Sequence, residues 1–373
     1  AARLKLDSDG LSIDRLSIED LGDMSFVATG RIQTLSSPGG NITLYLDARD
    51  LNGVATLAGL AMPALADPLR RLADRQKTAV LRANISLGQA GAGRVEGKIG
   101  VNGTLGAIRL DASASATGKR EVFMLAGPGI IAGTDAHFKG QFDADEAAPL
   151  LALFGLGGIE SAGGQSAGGH PARLTLAADG PLGRDLHFDA KLDAGPIEAG
   201  GNGVLKLASG QPASLDLEQL KGTIDGSKLK GRLAFRFGEG TQIDGSVEAD
   251  TLNVPAVVAA AIGMPAKSNS PDAAAAGSAG GWSTEPFAWN ASGLSGRIGF
   301  KTQRAVFASG LAAAQLQGTI RFNRSEVVFE DIAGQLGKGR LEGRLAFANS
   351  DYGVSARLRF GLTDAELRLS WAR

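Results

Sequence analysis

Three histidines, His137, His170 and His187, are the first residues to test as general bases or metal ligands. His137 and His187 each precede a Phe inside an alternating run, as strand-surface residues do, and His170 borders a glycine-rich stretch. No pair has the i, i+4 spacing of a helical metal site, and there is no cysteine to complete one. The 39 Asp and Glu residues are scattered over turns, helix starts and outward strand positions, where carboxylates normally sit. Gly127-Pro-Gly129 is not followed by the Lys-Ser/Thr of a phosphate loop. No Gly-x-Ser-x-Gly elbow stands between a strand and a helix. We therefore expect no enzyme, and assign no catalytic residue, metal ligand or cofactor.

Chemistry being absent from single residues, the elements themselves become informative. One phrase returns along the chain: Leu229-Lys-Gly-Arg-Leu-Ala-Phe235 and Leu341-Glu-Gly-Arg-Leu-Ala-Phe347. Looser copies are Leu316-Gln-Gly-Thr-Ile-Arg-Phe322, Leu294-Ser-Gly-Arg-Ile-Gly-Phe300, Leu220-Lys-Gly-Thr-Ile224 and Val95-Glu-Gly-Lys-Ile-Gly-Val101. Apolar and polar residues alternate with period two, so each copy reads as a β-strand with one dry face. The Gly always falls on the apolar side. Repeated strands of this kind build an extended surface and not a single catalytic pocket.

The bulk composition agrees. Lys plus Arg (38) nearly balances Asp plus Glu (39), against the concentrated positive field of a nucleic-acid binder. Gly is very frequent (54 residues) and aromatics make up only 5%, as expected of many short strands joined by tight turns. Turn phrases punctuate the chain at Asp7–Gly10, Ser37–Asn41, Gly180–Gly183, Gly238–Thr241 and Asn349–Gly353. Consecutive hairpins make an antiparallel meander. No run reaches the roughly 20 apolar residues of a membrane span. The chain opens and closes on strand-like runs, Arg3-Leu-Lys-Leu-Asp and Leu367-Arg-Leu-Ser-Trp371. We therefore expect a piece of a longer protein, with any anchor or export signal outside it.

Short helices interrupt the strands at Val54–Ala61, Glu146–Leu156 and Val254–Ile262. Each is opened by a capping residue and closed by Gly or Pro. Similar phrases precede them: Leu46-Asp-Ala-Arg-Asp50, Phe142-Asp-Ala-Asp145 and Val247-Glu-Ala-Asp250. The unit of several strands and one helix returns roughly every 100 residues, a period that marks internal duplication. The helices are apolar nearly all round, so protein or lipid must cover them. A further helix, Asp67–Lys77, is amphipathic with a basic face, read as a solvated face or a membrane-surface contact.

The expected organisation is a β-strand and helix repeat over 1–156, a flexible Gly/Ser-rich stretch over 157–170 and a second repeat over 171–266. A flexible Ala/Ser/Gly-rich insert over 267–281 and a C-terminal β segment over 282–373 follow. The fold class is mainly β: an elongated, curled antiparallel sheet of repeating groove units with a few short apolar helices. The candidate floor is Leu229, Gly231, Leu233, Phe235 and Phe237, then Gly296, Ile298 and Phe300, then Gly318, Ile320 and Phe322, then Gly343, Leu345 and Phe347. Two coverings fit the alternation equally. Either a second sheet packs on this face as a sandwich, or the sheet curls into a trough whose glycines leave space for a guest chain.

The stretch from Leu220 to Leu362 resembles the C-terminal region of the AsmA family of bacterial envelope proteins. The resemblance rests on Leu220-Lys-Gly-Thr-Ile-Asp-Gly with Leu229-Lys-Gly-Arg-Leu-Ala-Phe, and on Ile243-Asp-Gly-Ser-Val-Glu-Ala-Asp-Thr-Leu-Asn253 before the apolar helix. Trp282-Ser-Thr-Glu-Pro-Phe287 and the run from Val327 to Leu345 complete it. It implies a periplasmic protein of a Gram-negative bacterium, held to the inner membrane by an N-terminal helix outside this chain. It also implies a role in outer-membrane biogenesis and a β-groove like that of bridge-like lipid transfer proteins. We expect a non-enzymatic protein that binds or conducts phospholipid or another envelope lipid, with a further partner at the outer membrane and no nucleic acid. The alternative is a structural or interaction β-repeat protein with a closed core, such as an outer-membrane assembly factor or a surface exoprotein.

Overall fold

The computed structural model describes residues 2–7, 10–18, 23–33, 39–50, 52–53, 78–91, 93–119, 134–153, 169–181, 185–208, 211–224, 226–238, 240–255, 257–258, 294–308, 310–350 and 353–364. The protein is mainly β, with 83% of the described residues in strands, which meets the expectation that strands dominate. No helix among the described residues is long and apolar enough to cross a membrane. The chain divides into two units, the first built mostly from residues 1–157 and 168–195, the second mostly from 216–373.

Unit 1 carries β1 (Ala2–Asp7), β2 (Gly10–Ile18), β3 (Met24–Gln33), β4 (Gly40–Ala48), β5 (Ala79–Gln89), β6 (Arg94–Leu105), β7 (Ile108–Lys119) and β8 (Asp135–Ala144). Helix α1 (Ala147–Leu153), β9 (Ala172–Pro181) and β10 (Asp185–Ala194) follow. Each of these strands pairs antiparallel with the next in sequence. The strands flanking the turn phrases at 7–10, 37–41 and 180–183 pair antiparallel, as the Gly, Asn and Asp content of those phrases predicts. β11 (Ile197–Ala208) and β12 (Gln211–Ile224) come next in the chain.

Unit 2 carries β13 (Ser227–Arg236), β14 (Thr241–Asn253), β15 (Leu294–Ala308), β16 (Leu311–Phe322), β17 (Glu326–Leu336), β18 (Gly339–Ser350) and β19 (Gly353–Thr363). Here the structure corrects the simple meander. β14 and β15 run parallel, with Ile243 beside Gly296 and Val247 beside Phe300. A parallel step needs a long crossover in place of a hairpin, and residues 254–293 supply it. The other pairs in this unit are antiparallel.

Two of the three expected helices are seen in part. α1 starts at Ala147, one residue later than expected, with Pro149 in its first turn where a missing N–H costs nothing. Residues 254, 255, 257 and 258 are helical. The remainder of these two helices, Val54–Ala61, Asp67–Lys77 and both low-complexity stretches lie outside the described residues.

A β-bulge in β17 keeps the apolar face continuous. Phe329 faces Leu345 and Ile332 faces Gly343, so Glu330 and Asp331 together oppose a single residue of β18. Without the extra residue, Phe329 and Ile332 would point to opposite faces. Both are buried. Asp331 takes φ 55 to make the bulge, a left-handed conformation that Asp tolerates better than most residues. Replacing Asp331 by Val should lower unfolding stability by about 1–2 kcal/mol, the cost of a Cβ-branched residue at that φ. Gly at the same place should match or exceed the natural residue. Urea unfolding of the two variants checks this, and equal midpoints for Val and Gly would contradict it.

Candidate functional site

Strand register converts the alternation into continuous rows. In unit 2, Leu233, Gly245, Ile298, Ile320, Phe329, Leu345 and Leu358 stand side by side across β13 to β19. A second row runs Phe235, Ile243, Gly296, Phe322, Val327, Phe347 and Ala356. Gly231, Val247, Phe300 and Gly318 begin a third, which reaches Gly343 and Phe360 in β18 and β19. Thirteen of the fourteen candidate floor residues fall within β13, β15, β16 and β18, all on this one face, while Phe237 lies just past β13. The thirteen are half-buried, and Phe237 is exposed.

That degree of cover is the telling quantity. Side chains between two packed sheets would be sealed from water; these are not. Sealing is confined to a patch centred on β16 and β17, where Ala305, Ala313, Leu316, Val327, Phe329, Ile332 and Leu341 are buried. Val254, Val257 and Val258, from the helical turns after β14, pack on that patch. Towards β19 cover declines, and Leu358 is 66% exposed. Thr302 lies on the same face, buried, and its hydroxyl is spent on the carbonyls of Asp250 and Arg304 at 3.2 and 3.0 Å. The named rows therefore offer hydrocarbon and no hydrogen-bonding side chain.

Unit 1 repeats the pattern without having supplied any candidate residue. Its middle row is Ile42, Ile85, Ile99, Ala114, Phe138, Ala178 and Phe188. At one end of these strands a row of Met24, Ala48, Ala79, Leu105, Ile108, Ala144 and Ala172 is buried. α1 packs there against β8 and β9 with Leu150 and Leu151 sealed. At the opposite strand ends Val95, Thr134 and Leu186 are buried too. The middle stays partly open, and Ile99 is 44% exposed. Sequence reading passed over this unit because its floor is built from Ala and Ile, without the recurrent Leu-x-Gly phrase in most strands.

The other face carries the charged side chains, although Val328 in unit 2 is fully buried there. Arg109 meets Asp145 at 2.9 Å, Lys230 meets Glu248 at 2.9 Å and Arg297 meets Glu330 at 3.4 Å. Hydrogen bonds from Gln141 and Arg173 hold the Asp143 carboxyl below its ordinary value. The hydrogen bond from Lys230, aided by its charge, does the same for Glu248. A shallow depression of about 550 Å³ lies over β7 to β10, bordered by Asp111, Lys139, Thr175, Asp189 and Lys191.

The histidines also find their places here. His137 and His187 are exposed and both stand opposite Asp179, a cross-strand row that no sequence spacing reveals. No group of three His, Asp or Glu among the described residues is placed to hold a metal ion. His170 is half-buried against Gly195, where a Cβ would meet its ring at 2.7 Å.

The lowered Asp143 pKa fixes a pH dependence. A depressed folded-state pKa contributes stability that is present above the unfolded value of about 3.8 and is lost as pH falls through the folded one. Asp143→Asn should therefore be slightly less stable than the natural chain at neutral pH. The gap should close below pH 3.8 as the natural carboxyl takes up its proton. Chemical unfolding of both proteins across this range checks it, and a gap that widens in acid would refute it. No protein family profile matches this chain, and neither a curated protein nor a solved structure matches it.

Proposed function

We propose that the chain is a non-enzymatic lipid-binding or lipid-conducting protein whose curled β-sheets hold acyl chains along their apolar faces. The observation that carries the reading is the row from Leu233 to Leu358, seven strands wide, apolar throughout and partly open to water at every member but the buried Phe329. At about 4.8 Å between strands, six steps give roughly 29 Å of continuous hydrocarbon surface. An extended acyl chain is long, thin and free of hydrogen-bonding groups, and so matches a strip of this kind. Covering it removes apolar area from water at about 25 cal/mol per Å².

The resemblance to the AsmA phrases supplies the setting of the proposal: the periplasm of a Gram-negative bacterium, a parent anchored in the inner membrane, and service to outer-membrane lipid homeostasis. The lipid is phospholipid or another envelope lipid on the same ground. The glycines of the floor support the reading less directly than their spacing suggests, because neighbouring side chains occupy some of their space.

The proposal is tested by purifying the chain from cells, extracting it with solvent and identifying bound lipid by mass spectrometry. Leu345→Asp places a charge in the middle of the floor. In an open trough water can reach that carboxylate, so the protein should stay folded and lose its lipid. In a closed core the same change would bury an unpaired charge and unfold the domain, at a cost of several kcal/mol. Glu342→Gln, on the charged face, should leave both melting and lipid content unchanged. Absence of lipid from the natural protein, or unfolding of Leu345→Asp, would favour the structural β-repeat alternative.

A further inference from the structure

Phe300 of β15 stands directly opposite Gly318 of β16. A Cβ at Gly318 would lie 2.8 Å from Phe300 Cζ and 3.0 Å from its Cε1. Phe360 of β19 stands opposite Gly343 of β18, and its Cδ1 and Cε1 fill the place of a Cβ there. Each ring therefore leans across onto the neighbouring strand and rests in the notch that glycine leaves. Unit 1 uses the same device within one strand, where a Cβ at Gly140 would lie 3.1 Å from Phe138 Cζ and 3.3 Å from Phe142 Cε2. Aromatic cover of a strand glycine is a known way to restore the packing that glycine forfeits.

We infer that the pairs Gly318–Phe300 and Gly343–Phe360 set the depth of the floor in unit 2, and so decide whether a hydrocarbon chain has room to lie on it. The inference rests on reading this face as an acyl-chain site. A Phe opposite any residue with a Cβ must stand its ring up from the sheet. Opposite Gly it can lie down, turning an obstacle into part of the floor. Phe360 is 43% exposed, while half-buried Phe300 packs against the buried cluster around Leu316 and Phe329. An added methyl at Gly343 would lift the Phe360 ring into the space above the floor, at the exposed side of the unit. An unbranched chain lying across the rows would then lose its bed.

The test compares Gly343→Ala, Phe360→Ala and the double variant in the full chain. Uptake of a pyrene-labelled fatty acid is measured beside the thermal midpoint. Gly343→Ala should cut uptake about threefold while its midpoint stays close to that of the natural chain, because the displaced ring moves towards solvent. Phe360→Ala alone should retain uptake, and the double variant should regain it, since the new methyl then meets no ring. A purely structural role would lower the midpoint in step with uptake, and Phe360→Ala would then restore both together. Natural uptake by Gly343→Ala, or a double variant as poor as the single one, overturns the inference. If the natural chain takes up no probe at all, the acyl-chain reading fails first and this inference with it. Gly318→Ala, with and without Phe300→Ala, asks the same question should Gly343→Ala not fold.

Discussion

A strand paired on both sides has met all its backbone hydrogen bonds, yet one of its faces still has an apolar surface to hide. The structure depends on how each unit deals with that remainder. An ordinary domain lays a second layer over the sheet. Here, among the described residues, the cover is a patch: α1 over the strand ends of β8 and β9, and the helical turns at 254–258 over part of unit 2. The rest is shielded only by side chains lying against one another along the rows. Half-burial of Leu233, Ile298, Ile320 and Leu345 follows directly from that economy.

The charged face explains why the apolar face does not simply turn over. Lys230 with Glu248, Arg236 with Asp244 and Arg173 with Asp143 are cross-strand partners, each ion-paired within 3 Å. Exposed pairs of this kind contribute at most about 1 kcal/mol each, so they are not what holds the sheet together. Their value lies in register. A slip by one residue would move every one of these charges to the apolar side and every Leu and Phe to water. The bulge at Asp331 serves the same end, restoring phase where the sequence would have lost it.

Much of the fold was legible in the sequence because period-two alternation and turn chemistry are local signals. The strands on either side of the turn phrases at 7–10, 37–41, 180–183, 238–241 and 349–353 pair antiparallel with each other. The residues of the repeated Leu-x-Gly phrases, from Leu229 in β13 to Phe347 in β18, share one face. What local signals cannot carry is which strand lies beside which residue. The opposition of Gly343 to Phe360, and of His137 and His187 to Asp179, are facts of register between strands. So is the filling of the glycine notches at 318 and 343, which the sequence presents only as small residues on an apolar side. A glycine read alone looks like vacant space; read with its cross-strand partner, it is a seat for a ring.

The parallel step between β14 and β15 follows from the same need for cover. After β8 and after β14 the chain uses one grammar, an acidic strand end followed by an apolar helix with proline in its first turn. After β8 the next strand returns antiparallel, and α1 is left at the strand ends of β8 and β9, beside the buried Ala144 and Ala172. After β14 the next strand starts again at the far end, beside Thr241, so the connection must travel back along the length of the sheet. Its first turns lie on the apolar patch, with Val254, Val257 and Val258 against the cluster around Leu316 and Phe329. The parallel step gives up the compactness of a hairpin and gains cover over the patch where the sheet is most apolar. The most sealed part of unit 2 accordingly adjoins its one parallel joint, and the face opens again towards β19, where Leu358 and Phe360 are exposed.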